Sequence, residues 1–439
     1  MKREAMGPIL SLLFLLSIET VVSLKPPVNL PVTLSNDGGT LFVKNRLVPI
    51  LQASMTESRV HLLGKGEALN MLESLKEEML SGALSPCSPV WEPIIAAASV
   101  DRNMGWDSLT KEAAEKYFYY RMSVALEANS VPGGGATFDC FLDKKLSNLK
   151  NSQPFLEEIS SRLPDIVMAT DPLESLEMFL FVSLWGMQKD RKLICNDDSI
   201  TGTAKKRRAF ADGIRSQMTY LASNDIAAVL KIFDEGKTGR GDVSIIVGNT
   251  GKELAADLAL AYTLLTSNLC ETVTFHTKRY TAKEFGATNV DVYGHVEHLA
   301  DPVHSSVWAV RHFGEALRTL IFTGRLKIED DEFWCLPTPF WELPPHLEAK
   351  LSSSRLVIIK GDDNYSRMLG GLDWPLTAES NSVLSYWHVP VCALRVLESE
   401  VGCGFDDATA RQAGFNKAFM NSGRWGQVQF YAPDALIQS

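Results

Sequence analysis

From about residue 66 to 235 apolar residues recur three and four apart, as in "EALNMLESLKEEMLSGAL", "LTKEAAEKYFYYRMSVALEA" and "PLESLEMFLFVSLWGMQ". This spacing lines one stripe of a helix, and Gly or Pro near several ends mark where a helix stops. After the polar stretch "DEGKTGRGD" the rhythm changes. Short β-branched runs now alternate with helical patterns: a strand over 243–247, a helix to about 266, a strand over 271–277 and a long helix from about Val303 to Phe322. A strand over 354–360, a short helix over "YSRMLGG", a strand over 389–397, a helix over "DDATARQAGFNKAF" and a last strand in "GQVQFYA" follow. Such alternation predicts a mostly parallel sheet joined by crossovers. The expected fold is α/β. A helical amino-terminal domain (66–235) precedes a Rossmann-like domain (236–439) with helices on both faces of its sheet, and 25–65 form an extension.

Composition narrows the function. With 439 residues, 45% of them hydrophobic, the chain can bury a large core. A net charge of −10 opposes electrostatic binding of nucleic acid, which starts from a basic surface. The one basic run, Lys205-Lys206-Arg207-Arg208, reads as a solvated loop. Seven cysteines without a CxxC pair give neither a zinc module nor a disulfide framework. At the start, Lys2 and Arg3 precede the apolar "PILSLLFLLSI", the layout of a secretory signal over residues 1–24. It implies the secretory pathway or an organelle, with the cytoplasm as the alternative, and no stable membrane span beyond it.

Ligands of open parallel sheets bind beyond the carboxyl ends of the strands. Those ends offer Gly248-Asn249, Asp291 in "ATNVDVYG", and Lys360-Gly361-Asp362-Asp363-Asn364. Carboxylates and an amide are hard oxygen ligands for Mg²⁺ or Mn²⁺, and a lysine suits a phosphate. Acids and glycines also simply terminate strands, so both readings stand on the pattern alone. The turn "GNTGKE" has neither the P-loop spacing nor the dinucleotide fingerprint, and the glycine-rich "VPGGGATF" reads as a loop because no strand precedes it.

Five stretches together resemble a known family: "SLWGMQKD", "RGDVSIIVGNTGKELAADLALAYTLL", "FWCLPTPFWELP", "VIIKGDDNYSRMLGGLDWP" and "SGRWGQVQF", in that order over roughly 105–432. They are similar to the metal-dependent damage-control phosphatases of subfamily III, also described as protein-glutamate methyltransferase-like. The resemblance implies a helical domain on a Rossmann-like one and a divalent metal (Mn, Co, Ni or Mg). It also implies hydrolysis of small sugar phosphates of the fructose 1-phosphate or 6-phosphate type. By motif, Asn249 and Asp291 would be catalytic metal ligands, and Glu253 matches a site acid. Asp362, Asn364 and Tyr365 would contact substrate, with Asp363, Arg367 and Arg395 completing that set. Lys360 would support the phosphate or pair with a neighbouring acid.

Three departures stand out. The family's first metal aspartate is Gly248 here, its terminal RTxK reads Arg395-Val396-Leu397-Glu398, and its NYRK reads Asn364-Tyr365-Ser366-Arg367. Loss of a ligand charge weakens a metal site, and Glu398 repels a phosphate by about 1 to 4 kcal/mol at ~4 Å. A non-catalytic relative that binds a ligand or partner is therefore the alternative. An S-adenosylmethionine-dependent carboxyl methyltransferase is a third reading, although its usual glycine-rich cofactor loop is missing. His295, His298 and His304 read as surface or capping residues, Glu115, Tyr117 and Tyr119 as packing of the helical domain, and Trp334 and Trp341 as core anchors.

Overall fold

Successive side chains of a strand leave on opposite faces, and here both faces are buried. The computed structural model describes residues 39–57, 66–85, 88–99, 105–127, 139–169, 171–186, 203–234, 241–416 and 418–433. The signal-like leader, the loop "VPGGGATF", Cys87 and Cys195 lie outside the described residues. Seven strands are seen: β1 (Leu221–Asn224), β2 (Asp242–Ile246), β3 (Val273–Lys278), β4 (Leu326–Asp331), β5 (Ser354–Lys360), β6 (Val391–Val396) and β7 (Gly426–Tyr431). Their order is β1-β7-β6-β5-β2-β3-β4, and every pair is parallel except β6 with β7.

Val243 and Ile245, Leu356 and Ile358, Cys392 and Leu394 point to one face, into a core shared with the helices Pro172–Trp185 and Lys252–Thr266. Ile246, Val357, Ile359, Val391 and Ala393 point to the other, against Phe333, Trp334, Trp387 and the shorter helices Pro345–Ser352 and Asp362–Met368. Burial on both sides is why these strands read as unbroken apolar runs. The α/β class and mostly parallel sheet are as expected.

Packing divides the helices differently from the sequence pattern. Val43 to Phe141 build a core of their own around Trp91, Trp106 and Tyr117, whereas Leu149 to Phe233 join the core of the sheet. Periodicity marks a helix but not its partner, and β1, inside the stretch read as helical, pairs with β7. The basic run lies within the helix Thr203–Ser216 and not in a loop, with Lys205 and Arg208 exposed. Lys and Arg are good helix formers, so a charged run can continue a helix on its wet side.

The stretches that carry the family resemblance meet in space. A Cβ on Gly426 would stand 2.6 Å from the Trp185 ring, and one on Gly186 would stand 2.9 Å from Ala256. "SLWG" thus docks on both "RWGQVQF" and the helix after β2. Gly370, at φ 71°, passes under the Trp341 ring, so "MLGG" packs on "FWELP". Trp334 is buried as a core anchor and Trp341 packs against that core. Among the described residues no helix is long and apolar enough to cross a membrane.

Candidate functional site

The turn after β2 sits at the centre of the sheet. Gly251 has φ 74°, and a Cβ there would meet the Asn148 amide at 2.7 Å, so glycine is required to enter the following helix. Residues 285–287 fold back over the turn: Thr250 N–H donates to Phe285 O at 2.8 Å, Ala287 N–H to Gly248 O at 3.1 Å, and Asn249 pairs with Gly286. The Asn249 side-chain amide donates to Glu253 at 3.0 Å. The Glu253 carboxylate fills the room that Gly248 leaves, since a Cβ on Gly248 would stand 2.5 Å from Glu253 Oε1. Burial above all, with help from the charge of Asp257 and against the pull of Lys360, pushes the Glu253 carboxyl up to about 7.

Lys278, the last residue of β3, reaches the same turn. Its ammonium donates to Gly248 O at 2.9 Å, and burial, reinforced by the Lys116 charge, pulls it down to about 8.

At the end of β5 the acids are paired. Asp362 accepts from Arg395 Nη1 at 2.8 Å, while Arg395 Nε donates to Gln427 and its guanidinium lies 3.6 Å from the Tyr365 ring centre. Asp363 takes Lys116 at 2.6 Å and Lys283 at 2.7 Å. Burial works to raise the Asp363 carboxyl, but Lys116, Lys283 and Lys278 outweigh it and hold it well below the usual range. Lys116 comes from the helix Lys111–Glu127, so this ion pair joins the helical layer to the sheet. Lys283 also reaches Glu115, at 3.4 Å, from a backbone φ of 113° that side chains seldom adopt. One oxygen of Glu112 is buried nearby without a hydrogen-bond partner among the described residues, and burial, then Asp363, raises its carboxyl.

The residues named from sequence separate into two groups. Asn249, Glu253, Asp362, Asp363 and Arg395 gather around the ends of β2, β5 and β6. Others hold that crest from inside. Lys360 is spent on Ser183 O at 2.6 Å and Asp257 at 3.2 Å, which leaves the pairing alternative. Asn364 bridges Lys360 O and Val247 O, Tyr365 donates to Gln429, and Arg367 binds the carbonyls of Phe333 and Thr338 between two phenyl rings. With Asn364 only 1% exposed, the sequon Asn364-Tyr365-Ser366 is closed to modification in the folded chain.

Asp291 is placed differently. It is the third residue of the helix Asn289–Ala300, where Oδ2 accepts from Thr288 N and Oγ1 and from Lys145 at 2.7 Å. That is a capping box with an ion pair. Between it and the β2 turn stands His295, which accepts from Gly251 N–H at 3.0 Å and therefore donates from Nδ1 to Asp291 O at 2.8 Å, a neutral ring. Burial keeps it so. Glu398 lies exposed beyond β6, with Asp362 and Lys283 in electrostatic reach.

Sequence reasoning missed Lys116, Lys278, Lys283 and Glu112. Lys278 ends a strand and was open to the strand-end rule; Lys283 lies in the loop that follows it, and Lys116 and Glu112 come from the helical layer.

The model of the damage-control phosphatase ARMT1-like domain matches residues 70–412. The chain belongs to that family. Damage-control phosphatase ARMT1 of Mus musculus is 28% identical over 314 residues, covering 67% of this chain and 69% of that protein. The Xenopus tropicalis protein is 28% identical over 312 residues (66% and 68%), and the Homo sapiens one 25% over 312 (67% and 69%). Among solved structures, a DUF89 family protein from Pyrococcus horikoshii gives a TM-score of 0.42 at 11% identity, covering 86% of this chain and 93% of that one, a distant likeness only. Membership in the ARMT1-like family supports a role on phosphorylated metabolites.

The metal that the resemblance implies does not fit the donors present. Gly248 and Gly286, the residues beside Asn249, carry no side chain. Asp291 is engaged by Thr288 and Lys145, and the cation at the turn is Lys278. Among the described residues no three His, Cys, Asp or Glu side chains gather as a metal ion needs.

Proposed function

We propose that this chain binds a small phosphorylated metabolite, of sugar-phosphate size, at the crest formed by the ends of β2, β5 and β6 and the helix Lys111–Glu127. One observation carries the reading: Lys116, Lys278 and Lys283 converge electrostatically on the single carboxylate of Asp363. Lys116 and Lys283 touch Asp363, Lys283 also reaches Glu115, and Lys278 acts on Asp363 from the β2 turn, while the Glu112 carboxyl is shifted toward its neutral form. A phosphate dianion supplies the negative charge such a group lacks, and a neutral carboxyl can donate to a phosphate or sugar oxygen.

The test is calorimetric titration with fructose 1-phosphate, fructose 6-phosphate and inorganic phosphate, with chelator and with Mn²⁺. Saturable binding is expected, weakened in a Lys283→Met variant. A flat titration with every ester in both buffers rules the reading out.

A second reading is hydrolysis of such esters at the same crest, with Mn, Co, Ni or Mg supplied from solution together with the ester. The Asn249–Glu253 pair, standing at the end of β2 in the family's order, favours it. Phosphate release that depends on one of these metals would establish it over simple binding.

A further inference from the structure

The β2 turn holds a buried cation with no carboxylate in contact, Asp363 and Glu253 acting on it only from a distance. Lys278 is 4% exposed, and among the described residues it makes no ion pair; its one hydrogen-bond acceptor is the Gly248 carbonyl oxygen. A buried ammonium is costly unless a carboxylate or other anion answers it. Elsewhere on this crest that rule is obeyed, as Lys116, Lys283 and Arg395 all pair with acids.

The space around Lys278 tells what stands in place of acidic side chains. A Cβ on Gly286 would come 3.1 Å from Lys278 Cδ, and a Cβ on Gly248 would come 2.5 Å from Glu253 Oε1. The two glycines therefore admit the Lys278 stem and the Glu253 carboxylate into positions that any side chain at 248 or 286 would contest. An ammonium has three N–H donors, of which the Gly248 carbonyl takes one.

We propose that the Lys278 ammonium, held on the Gly248 carbonyl oxygen, is the resident cation of this turn and that a phosphate ester binds against it without a divalent metal. The inference rests on the reading that the crest takes phosphate esters. It makes Lys278 the counter-ion of the phosphate, a role that the compact point charge of lysine fills well.

Two measurements on the full chain test it. In the first, Mn²⁺ alone is titrated and the free ion followed by electron paramagnetic resonance. The wild-type chain is expected to leave the signal of the added ion undiminished; stoichiometric loss of signal overturns the inference whatever the ligand does. In the second, fructose 6-phosphate is titrated by calorimetry into wild type, Lys278→Arg and Lys278→Met, with chelator and with Mn²⁺. Wild-type affinity should be the same in both buffers, Lys278→Arg should keep most of it, and Lys278→Met should lose about tenfold or more. Binding that appears only with Mn²⁺ overturns this inference and leaves the phosphate-site reading intact. Absence of binding in either buffer overturns both. Should Lys278→Met fail to fold, the arginine variant and the wild-type metal titration still decide.

Discussion

The turns after β2 and β5 lie side by side, close enough that a Cβ on Gly361 would stand 4.0 Å from the Gly248 Cα, yet their charges are arranged in opposite ways. At β5 each acid has its cation: Asp362 has Arg395, and Asp363 has Lys116 and Lys283. At β2 the situation is reversed, with two glycines beside Asn249 and a buried lysine that touches a carbonyl oxygen and no carboxylate. The first turn is a closed ionic network that ties two layers together. The second holds its ammonium on a carbonyl oxygen. The comparison teaches that two neighbouring turns of one sheet can treat buried charge in opposite ways, one pairing its acids with cations and the other holding its cation on a carbonyl oxygen.

The largest expected effect lies in the paired turn. Lys116→Met leaves Asp363 in contact with Lys283 alone and removes its direct ion pair to the helical layer, so the chain should lose about 3 kcal/mol of stability in chemical denaturation. Lys278→Met makes the contrast, because removing a buried cation that touches no carboxylate should leave the unfolding free energy unchanged or raise it. A loss as large as that of Lys116→Met would erase the difference between the two turns.

Within the β2 turn, Gly251→Ala should cost about 1 to 3 kcal/mol, since its φ of 74° and the nearby Asn148 amide both exclude a Cβ. A melting curve that matches the wild type would show that the turn relaxes freely.

Acid should act on the paired turn. The folded-state pKa of Asp363 is depressed, so its contribution is fully present above the ordinary value of 3.8 and is lost as pH falls through the lower folded value. Stability measured from pH 7 downward should therefore keep this contribution to about pH 4 and lose it below, and Asp363→Asn should flatten that limb. The smallest effect belongs to Gly248→Ala, whose new methyl meets only the movable end of Glu253, with an expected cost of about 0.5 kcal/mol or less in the same assay.

Much of the sheet was legible because β2, β3, β5 and β6 are buried on both faces and read as apolar runs. The strand β4, "LKIEDD", was not, since it lies at the edge of the sheet with mostly half-buried polar residues. At the site, the motif order led to Asn249, Glu253, Asp362, Asp363 and Arg395, which the fold does gather. It could not tell which motif residues face a ligand and which brace the crest, as Lys360, Asn364, Tyr365 and Arg367 do. That distinction depends on side-chain direction after packing. Lys116 and Asp363 are 247 positions apart, and no local pattern links them.

The central claim is that the β2 turn carries its own cation. The most direct measurement is the affinity of the wild-type chain for fructose 6-phosphate by calorimetry, first in chelator and then in excess Mn²⁺. Equal, saturable binding in the two buffers is the predicted result, and binding that requires the metal would contradict the account.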